Sequence, residues 1–538
     1  MKISPFIRLA AGMVAFSSVS GIVNAQFPAS NVTMYANRTL AFFGAASGND
    51  CWGYTSPSGR EYAIMGLDNA VAFVEITNPA SPTTISIIPH TGNNSSSWGD
   101  IKVYGHYAYA VTEDSGTGIQ VIDMSQIDNG TVTLVRTITS PGRSHNLVLN
   151  TESGFLYTCG SNEGTGTTMC FSLANPSNPV QVGAPSMTMF NGQSNYQHDA
   201  NVVNWTTGAL AGHELWFGCS EGRGVDIYDF TNKNTPVHIK RITYPDMGYC
   251  HQAWLSKDRK YLYVDDEFDE NNLAVPTRSL IFNVEDPANA FYVGTFSSGV
   301  LAIDHNQYVH EGFTFQANYR SGLRIFDLAG NPEAPVQTGY FDTYPANNNT
   351  GYNGAWSNYP FFPSGTVIVS DINRGLFVLN VLDATTRSLV PNNMNIVMGL
   401  PLGGNLSSLF ASDDNRVLIS YNPAVDDLYP IHLETTTTAV DTDPRRIRVS
   451  VDSSMVGTSG FLQSIDLFDW NTNSYETVNT RVLSSTDTVA TTGWVTNPDR
   501  FVNQTNREVK VRVTVQPWLS DQAKFTAAFV RVTFEITQ

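Results

Sequence analysis

An apolar strand, most often followed by a proline-containing turn, recurs seven times along the chain, and this recurrence limits the fold more than any other feature. The copies are AVAFVEITNPASP from Ala70, GIQVIDMSQ from Gly118, TTMCFSLANPSNP from Thr167, GVDIYDFTNKNTP from Gly224, RSLIFNVEDPANA from Arg278, GLRIFDLAGNPEAP from Gly322 and GLFVLNVLD from Gly375. They lie about 35 to 60 residues apart, the period of a β-propeller blade. Ahead of each copy a polar residue leads into another apolar strand: WGY at Trp52, WGDIKVY at Trp98, SHNLVLN at Ser144, QHDANVV at Gln197, CHQAWLS at Cys250, DHNQYVH at Asp304 and GAWSNYPFF at Gly354. Short Val, Ile, Tyr, Phe and Thr segments bounded by Gly, Asn, Asp and Pro fill the rest, and helix signals are nearly absent. Four strands per period and seven periods predict an all-β chain with a seven-bladed β-propeller over 48–381, because radial closure leaves few exposed strand edges.

Beyond a linker at 382–393 the pattern lengthens to RIRVSVD, LQSIDLFDW, VKVRVTVQP and AAFVRVTFEI. Alternation at period two predicts a jelly-roll-like β-sandwich over 394–538. At the other end, two early cations, an apolar stretch from Leu9 to Val23 and the small-residue site before Gln26 describe a signal peptide over 1–25, leaving 26–47 as an N-terminal segment. No later apolar run reaches a membrane span, so the expected product is secreted and extracellular. Lys and Arg number 30 against 48 Asp and Glu, a formal charge of −18, which argues against nucleic acid as a partner. In an exported chain Cys159 and Cys170, near the ends of two strands joined by a Gly-rich loop, are candidates for a disulfide. Cys51, Cys219 and Cys250 have no evident partner.

The start of each innermost strand of a propeller rings the central channel. That rule places His145, His198, His251 and His305 at equivalent positions of four successive repeats, with Trp52, Trp98 and Trp356 in the other three. Asp100, Asp199, Asp304 and Asn306 lie beside them, and the loops between second and third strands add Arg223, Arg320, Arg374 and the run Asp265, Asp266, Glu267, Asp269 and Glu270. The expected ligand face is therefore Trp98, Asp100, His145, His198, Asp199, His251, Asp304, His305, Arg320, Trp356 and Arg374.

The stretches WGYTSPSGREYAIMGLDNAVAFVEI, SHNLVLN, GYCHQAWLSKDRKYLYVDDEFDE, DHNQYV, QANYRSGLRIFD and GAWSNYPFFPSGTVIVSDINRGLFVLNV, which together with the other repeats cover nearly all of 48–381, resemble the choice-of-anchor B family, propellers built of LVIVD-type repeats. The resemblance implies a secreted or surface-attached bacterial propeller, and it carries over no catalytic residue. No counterpart of the family's terminal anchor is recognisable.

Two readings of the histidines follow. Each ring hydrogen-bonds to the neighbouring blade and fixes strand register, or His145, His198, His251 and His305 together hold a divalent metal such as zinc. The acidic run reads first as a solvated loop and second as a calcium site, since it lacks EF-hand spacing. Arg320 and Arg374 read as solvated turn residues or as clamps for an anion. No nucleophile elbow, HExxH helix or phosphate-binding glycine loop occurs. The resulting expectation is a binding module for an extracellular ligand, carbohydrate or protein. The alternative is a metal-assisted hydrolase or lyase acting on an extracellular polymer.

Overall fold

The computed structural model describes residues 27–92, 94–162, 168–185, 187, 196–422, 431–456, 460–517 and 525–537. The signal peptide expected at 1–25 lies outside the described residues. The chain is all-β: among the described residues, apart from single turns of 3-10 helix, the helices are Leu40–Phe43 and Asp269–Leu273. None among the described residues is long and apolar enough to cross a membrane.

Seven antiparallel sheets follow one another: the first five each have four strands in chain order, the sixth adds Ala29–Ser30 beyond Val336–Phe341, and the seventh takes its outer strand from the N-terminal segment. The first consists of Gly48–Thr55, Glu61–Leu67, Ala70–Glu75 and Thr83–Pro89. The leading strands of the seven, Gly48–Thr55, Gly99–Tyr104, Asn146–Asn150, Asp199–Asn204, Cys250–Leu255, Asn306–His310 and Ala355–Tyr359, pack side by side, and the last returns to the first. The arrangement is propeller-like. Each sheet is covered on both faces by its neighbours, which is why strands such as Glu61–Leu67 are buried throughout and read as continuous apolar runs. Apolar clusters fill each gap: Ala63 and Met65 of the first sheet meet Ile368 and Val378 of the last. The strand completing the last sheet is not local. Thr33–Arg38, which the sequence reading leaves outside the repeats, pairs antiparallel with Gly375–Asn380.

The C-terminal part holds a six-stranded sheet, five strands in one path with Thr386–Leu389 paired off it along Thr526–Thr537, and a five-stranded sheet. One apolar core is common to both. Val509, Val511, Val513 and Val515 point into it, while Lys510 and Arg512 alternate outward, as the period-two pattern requires. Thr386–Leu389 lies where the sequence suggests a linker, yet it pairs with Thr526–Thr537.

The disulfide expectation is corrected. All five cysteines are buried free thiols. Cys170 stands opposite Tyr157 in the strand register, two residues along from Cys159, and a diagonal neighbour on a sheet lies beyond the reach of an S–S bond.

Candidate functional site

At one end of the axis the four histidines form a ladder. Ring centroids are 4.5 Å apart from His145 to His198, 4.2 Å from His198 to His251 and 4.3 Å from His251 to His305. His198 Nδ1 bonds the carbonyl of His251 at 2.9 Å, His251 Nδ1 that of His305 at 2.9 Å, and His305 Nδ1 that of Trp356 at 2.6 Å. A carbonyl only accepts, so Nδ1 carries the proton in each of these rings and the neutral imidazole keeps its lone pair at Nε2. Burial makes them neutral: it pushes the pKa of His198 and His251 well below the usual histidine value and that of His305 down to about 3. His145 ends the ladder differently, with Nδ1 2.6 Å from Glu113 Oε1. The register role and the ligand role are thus compatible, since each uses a different nitrogen.

Glu267 completes the cluster. One nitrogen each from His251 and His305 and one oxygen of Glu267 lie within 4.8 Å of one another. Glu267 Oε2 is 3.9 Å from His251 Nε2, and its Oε1 accepts 2.7 Å from the Tyr319 hydroxyl. Burial pushes the Glu267 carboxyl up to about 7, against the hydrogen bond from Tyr319.

The acidic run is not solvated. Asp265, Asp266 and Asp269 are fully buried and Glu270 nearly so. After strand Tyr261–Asp266 the chain turns because Asp266 gathers its donors: Oδ1 accepts from the amides of Tyr249 (2.6 Å) and Phe268 (3.2 Å), Oδ2 from the Gly248 amide (2.7 Å) and the Tyr244 hydroxyl (2.8 Å). A Cβ at residue 248 would sit 2.7 Å from Asp266 Oδ1, so only glycine permits this approach. The strand alternation that would send Asp265, Glu267 and Asp269 to one side stops at Asp266, and Glu267 alone turns to the histidines.

The tryptophans divide. Trp356 packs 4.7 Å from His305, but Trp98 is half exposed ahead of its strand. Trp52 faces the opposite end of the axis, where Trp52, Trp254, Tyr308, Tyr359 and Phe361 surround a cavity of about 560 Å³. The position latching the first sheet to the second belongs instead to Asp50, whose Oδ2 accepts from the Ile101 amide at 3.1 Å. Asp100 repeats the latch to the Leu147 amide at 2.6 Å. Asp50, Asp100, Lys102 and Asp199 line the axis together with His145, His251 and His305. Lys102 bonds Asp100 at 2.5 Å and lies 4.6 Å from the Trp52 ring, while burial pushes Asp199 up to about 7. Asp304 is fully buried beside the ladder. Arg320 and Arg374 are half-buried and both stack on the Tyr344 ring, and Arg320 donates to Asn353 Oδ1 (2.7 Å) and the Thr350 carbonyl (3.0 Å). Glu113, Asp50 and Lys102 were missed from sequence; Asp50 was recoverable by aligning GNDCWGY on its acid rather than its tryptophan.

Neither a family model nor a curated protein matches the chain. Among solved structures it is similar to a functionally unknown protein from Desulfotomaculum acetoxidans, with 13% identity and a TM-score of 0.38 over 57% of this chain and 88% of that one. It is also similar to a chain of the COPII outer coat vertex on membranes, with 10% identity and a TM-score of 0.46 over 62% of this chain and 84% of that one. A chain of the COPII coat assembled on membranes matches with the same identity and TM-score, over 62% of this chain and 46% of that one.

Proposed function

We propose that the protein is a secreted seven-bladed β-propeller with a C-terminal jelly-roll-like sandwich, related to the choice-of-anchor B proteins. In this reading it binds an extracellular ligand, carbohydrate or protein, through a zinc ion at the histidine-bearing end of its axis. The observation that carries the reading is the meeting of His251, Glu267 and His305 within 4.8 Å. Two imidazoles and one carboxylate are a donor set for zinc that leaves a fourth position for an incoming ligand. The carbonyls at Nδ1 of His251 and His305 act as the outer partners that fix ring orientation and tautomer at metal sites. The seven repeats and the cyclic order of the leading strands support the blade count, the core common to the two C-terminal sheets supports the sandwich, and the leader-like N-terminus supports secretion. A hydrolase or lyase using the same three residues is the second reading, favoured by the Glu267 pKa near 7, which suits proton transfer at neutral pH.

Elemental analysis of the purified mature chain separates these ideas. We expect about one zinc per chain, lost in His251→Ala/His305→Ala and in Glu267→Gln while circular dichroism stays unchanged. On a glycan and protein array, binding should vanish with chelator. Zinc content unaffected by the double substitution removes the metal site. Turnover of a polymer in a hydrolase panel, abolished by chelator, transfers the site to the enzyme reading.

A further inference from the structure

The cavity at the end of the axis remote from the histidines has two unlike walls. Every aromatic ring that lines it comes from the first, fifth, sixth or seventh sheet, which are adjacent in the ring, and the foremost are Trp52, Trp254, Tyr308, Tyr359 and Phe361. Every charged side chain that lines it comes from the remaining arc: Lys102 from the second sheet, Glu152 from the third and Asp199 from the fourth. The aromatic arc is not closed core, because Trp52, Trp254, Tyr359 and Phe361 stay half-buried. Trp254 meets Tyr308 edge to face at 4.9 Å and Trp52 meets Tyr359 in the same way at 5.2 Å, so the rings are held in place before any ligand arrives.

The charges on the second wall are already matched. Lys102 bonds Asp100 at 2.5 Å, lies 3.7 Å from Asp50 and reaches Asp199 with its field, and Arg259 donates to Glu152 at 2.6 Å. Lys102 also stands 4.6 Å from the Trp52 ring, the place a cationic ligand would take. The wall therefore calls for no ion of either sign. What it offers is neutral hydrogen bonding. The carboxamide oxygens of Asn201 and Gln252 accept from the amides of Leu255 and Gln307, both at 3.2 Å, which leaves the N–H donors of each side chain to the cavity that it lines.

A ligand that suits both walls has an apolar face for the rings, hydroxyl groups for the amides and no net charge. A pyranose has all three, since its axial C–H groups form an apolar face and its hydroxyls lie around the edge. The cavity, about 560 Å³, is of the size of small-molecule sites, and a second one of about 360 Å³ adjoins it, sharing Asn201, Val203 and Trp254. Trp254 thus stands where two binding spaces meet, which fits a chain of sugars better than a single one. We propose that this end of the axis binds a neutral oligosaccharide, with one ring stacked inside the aromatic arc and the next lying past Trp254 toward Arg259 and His310. No histidine of the ladder lines the cavity, so the site works without the zinc ion proposed above.

Stacking and neutral hydrogen bonds without an ion bind weakly and are lost in the washes of an array, so the site is read in solution. The full mature chain, in EDTA, is probed by saturation-transfer NMR with cellotetraose, xylotetraose, mannotetraose and maltotetraose. At least one should receive transfer at its ring C–H protons, and Trp254→Ala and Thr151→Trp should each weaken its binding at least tenfold. Thr151 is exposed on the rim, so bulk there blocks entry without entering the core, which separates lost binding from lost folding. Trp254→Tyr keeps a stacking face and should bind within a few-fold of wild type. His251→Ala/His305→Ala should bind as wild type does, so failure of the zinc reading leaves this one standing. Transfer lost in that double variant moves the sugar to the histidine end and overturns the proposal. No transfer to any of the four sugars, equal binding by wild type, Trp254→Ala and Thr151→Trp, or tighter binding of tetramethylammonium chloride or tetragalacturonate than of every neutral sugar overturns it as well.

Discussion

At the scale of single residues, electrostatics in this molecule is decided by how many donors a buried acid finds. Asp226 is the satisfied case: Arg241 Nε (2.9 Å), His238 Nε2 (2.7 Å) and Ser220 Oγ (2.6 Å) all reach a carboxylate with no exposed surface. Burial alone would raise its pKa, but these bonds outweigh burial and hold it down to about 2. A folded pKa below the unfolded one means stability that is present above about pH 4 and is withdrawn as pH falls through 2. The difference of nearly two pKa units corresponds to about 2 kcal/mol. Asp226→Asn should therefore be less stable than wild type by about 2 kcal/mol at pH 7, with the gap closing toward pH 2.5 in melts across that range. A gap independent of pH would refute the assignment. The same residue-level view explains what could be read in advance at the axis. His145, His198, His251 and His305 were legible because the repeat aligns them. Glu267 was not, because its direction depends on the four donors gathered by Asp266, three of them on a segment nearly twenty residues away.

At the scale of elements, the strands of the repeats were legible from alternation and turn residues, whereas the partner of the last one was not. Nothing local in Thr33–Arg38 says that it will pair with a strand some 340 residues on, and the signal lies instead in the need of Gly375–Asn380 for an outer neighbour. Gly375 shows how tightly the two are joined. It has a φ of +83°, and a Cβ there would lie 2.2 Å from the Arg38 carbonyl oxygen. Alanine would meet both the left-handed backbone, worth about 1–2 kcal/mol, and that clash. The least costly relief is for the N-terminal strand to move away, since it alone is not held by a short loop. We expect Gly375→Ala to lower the melting temperature by several degrees and to speed hydrogen exchange at the amides of Thr33–Arg38 more than at those of Thr366–Asp371. Equal protection in both strands would show that the sheet absorbs the clash elsewhere.

At the scale of the whole molecule, the join between the ring of sheets and the C-terminal part rests on polar contacts that the sequence conceals. Arg387 sits on Thr386–Leu389, the segment that the composition marks as a linker, and its guanidinium reaches back to the sixth sheet. Both Nε and Nη2 bond Asp327 at 2.8 Å, Nη2 also donates to the Gly312 carbonyl at 3.1 Å, and the group lies 4.0 Å from the Phe313 ring centroid. Arg445 adds contacts to Glu311, and Lys257 pairs with Asp441. Lys257–Asp441 is exposed on the lysine side and contributes little, but Arg387 is only 8% exposed and bidentate, the geometry in which such pairs matter. Removing one partner leaves the other partly buried without its counter-charge, at a cost of about 2–3 kcal/mol, below the range for a wholly buried pair because Asp327 keeps some solvent. Charge and stacking act together here, so Arg387→Lys, which keeps the charge but loses the fork, should recover less than half of the loss. If this contact couples the two parts, the wild type should melt in a single calorimetric transition and Arg387→Ala in two, with proteolytic cleavage appearing between residues 382 and 393. A single transition at unchanged temperature in the variant would mean that strand pairing of Thr386–Leu389 with Thr526–Thr537 is sufficient to hold the two parts together.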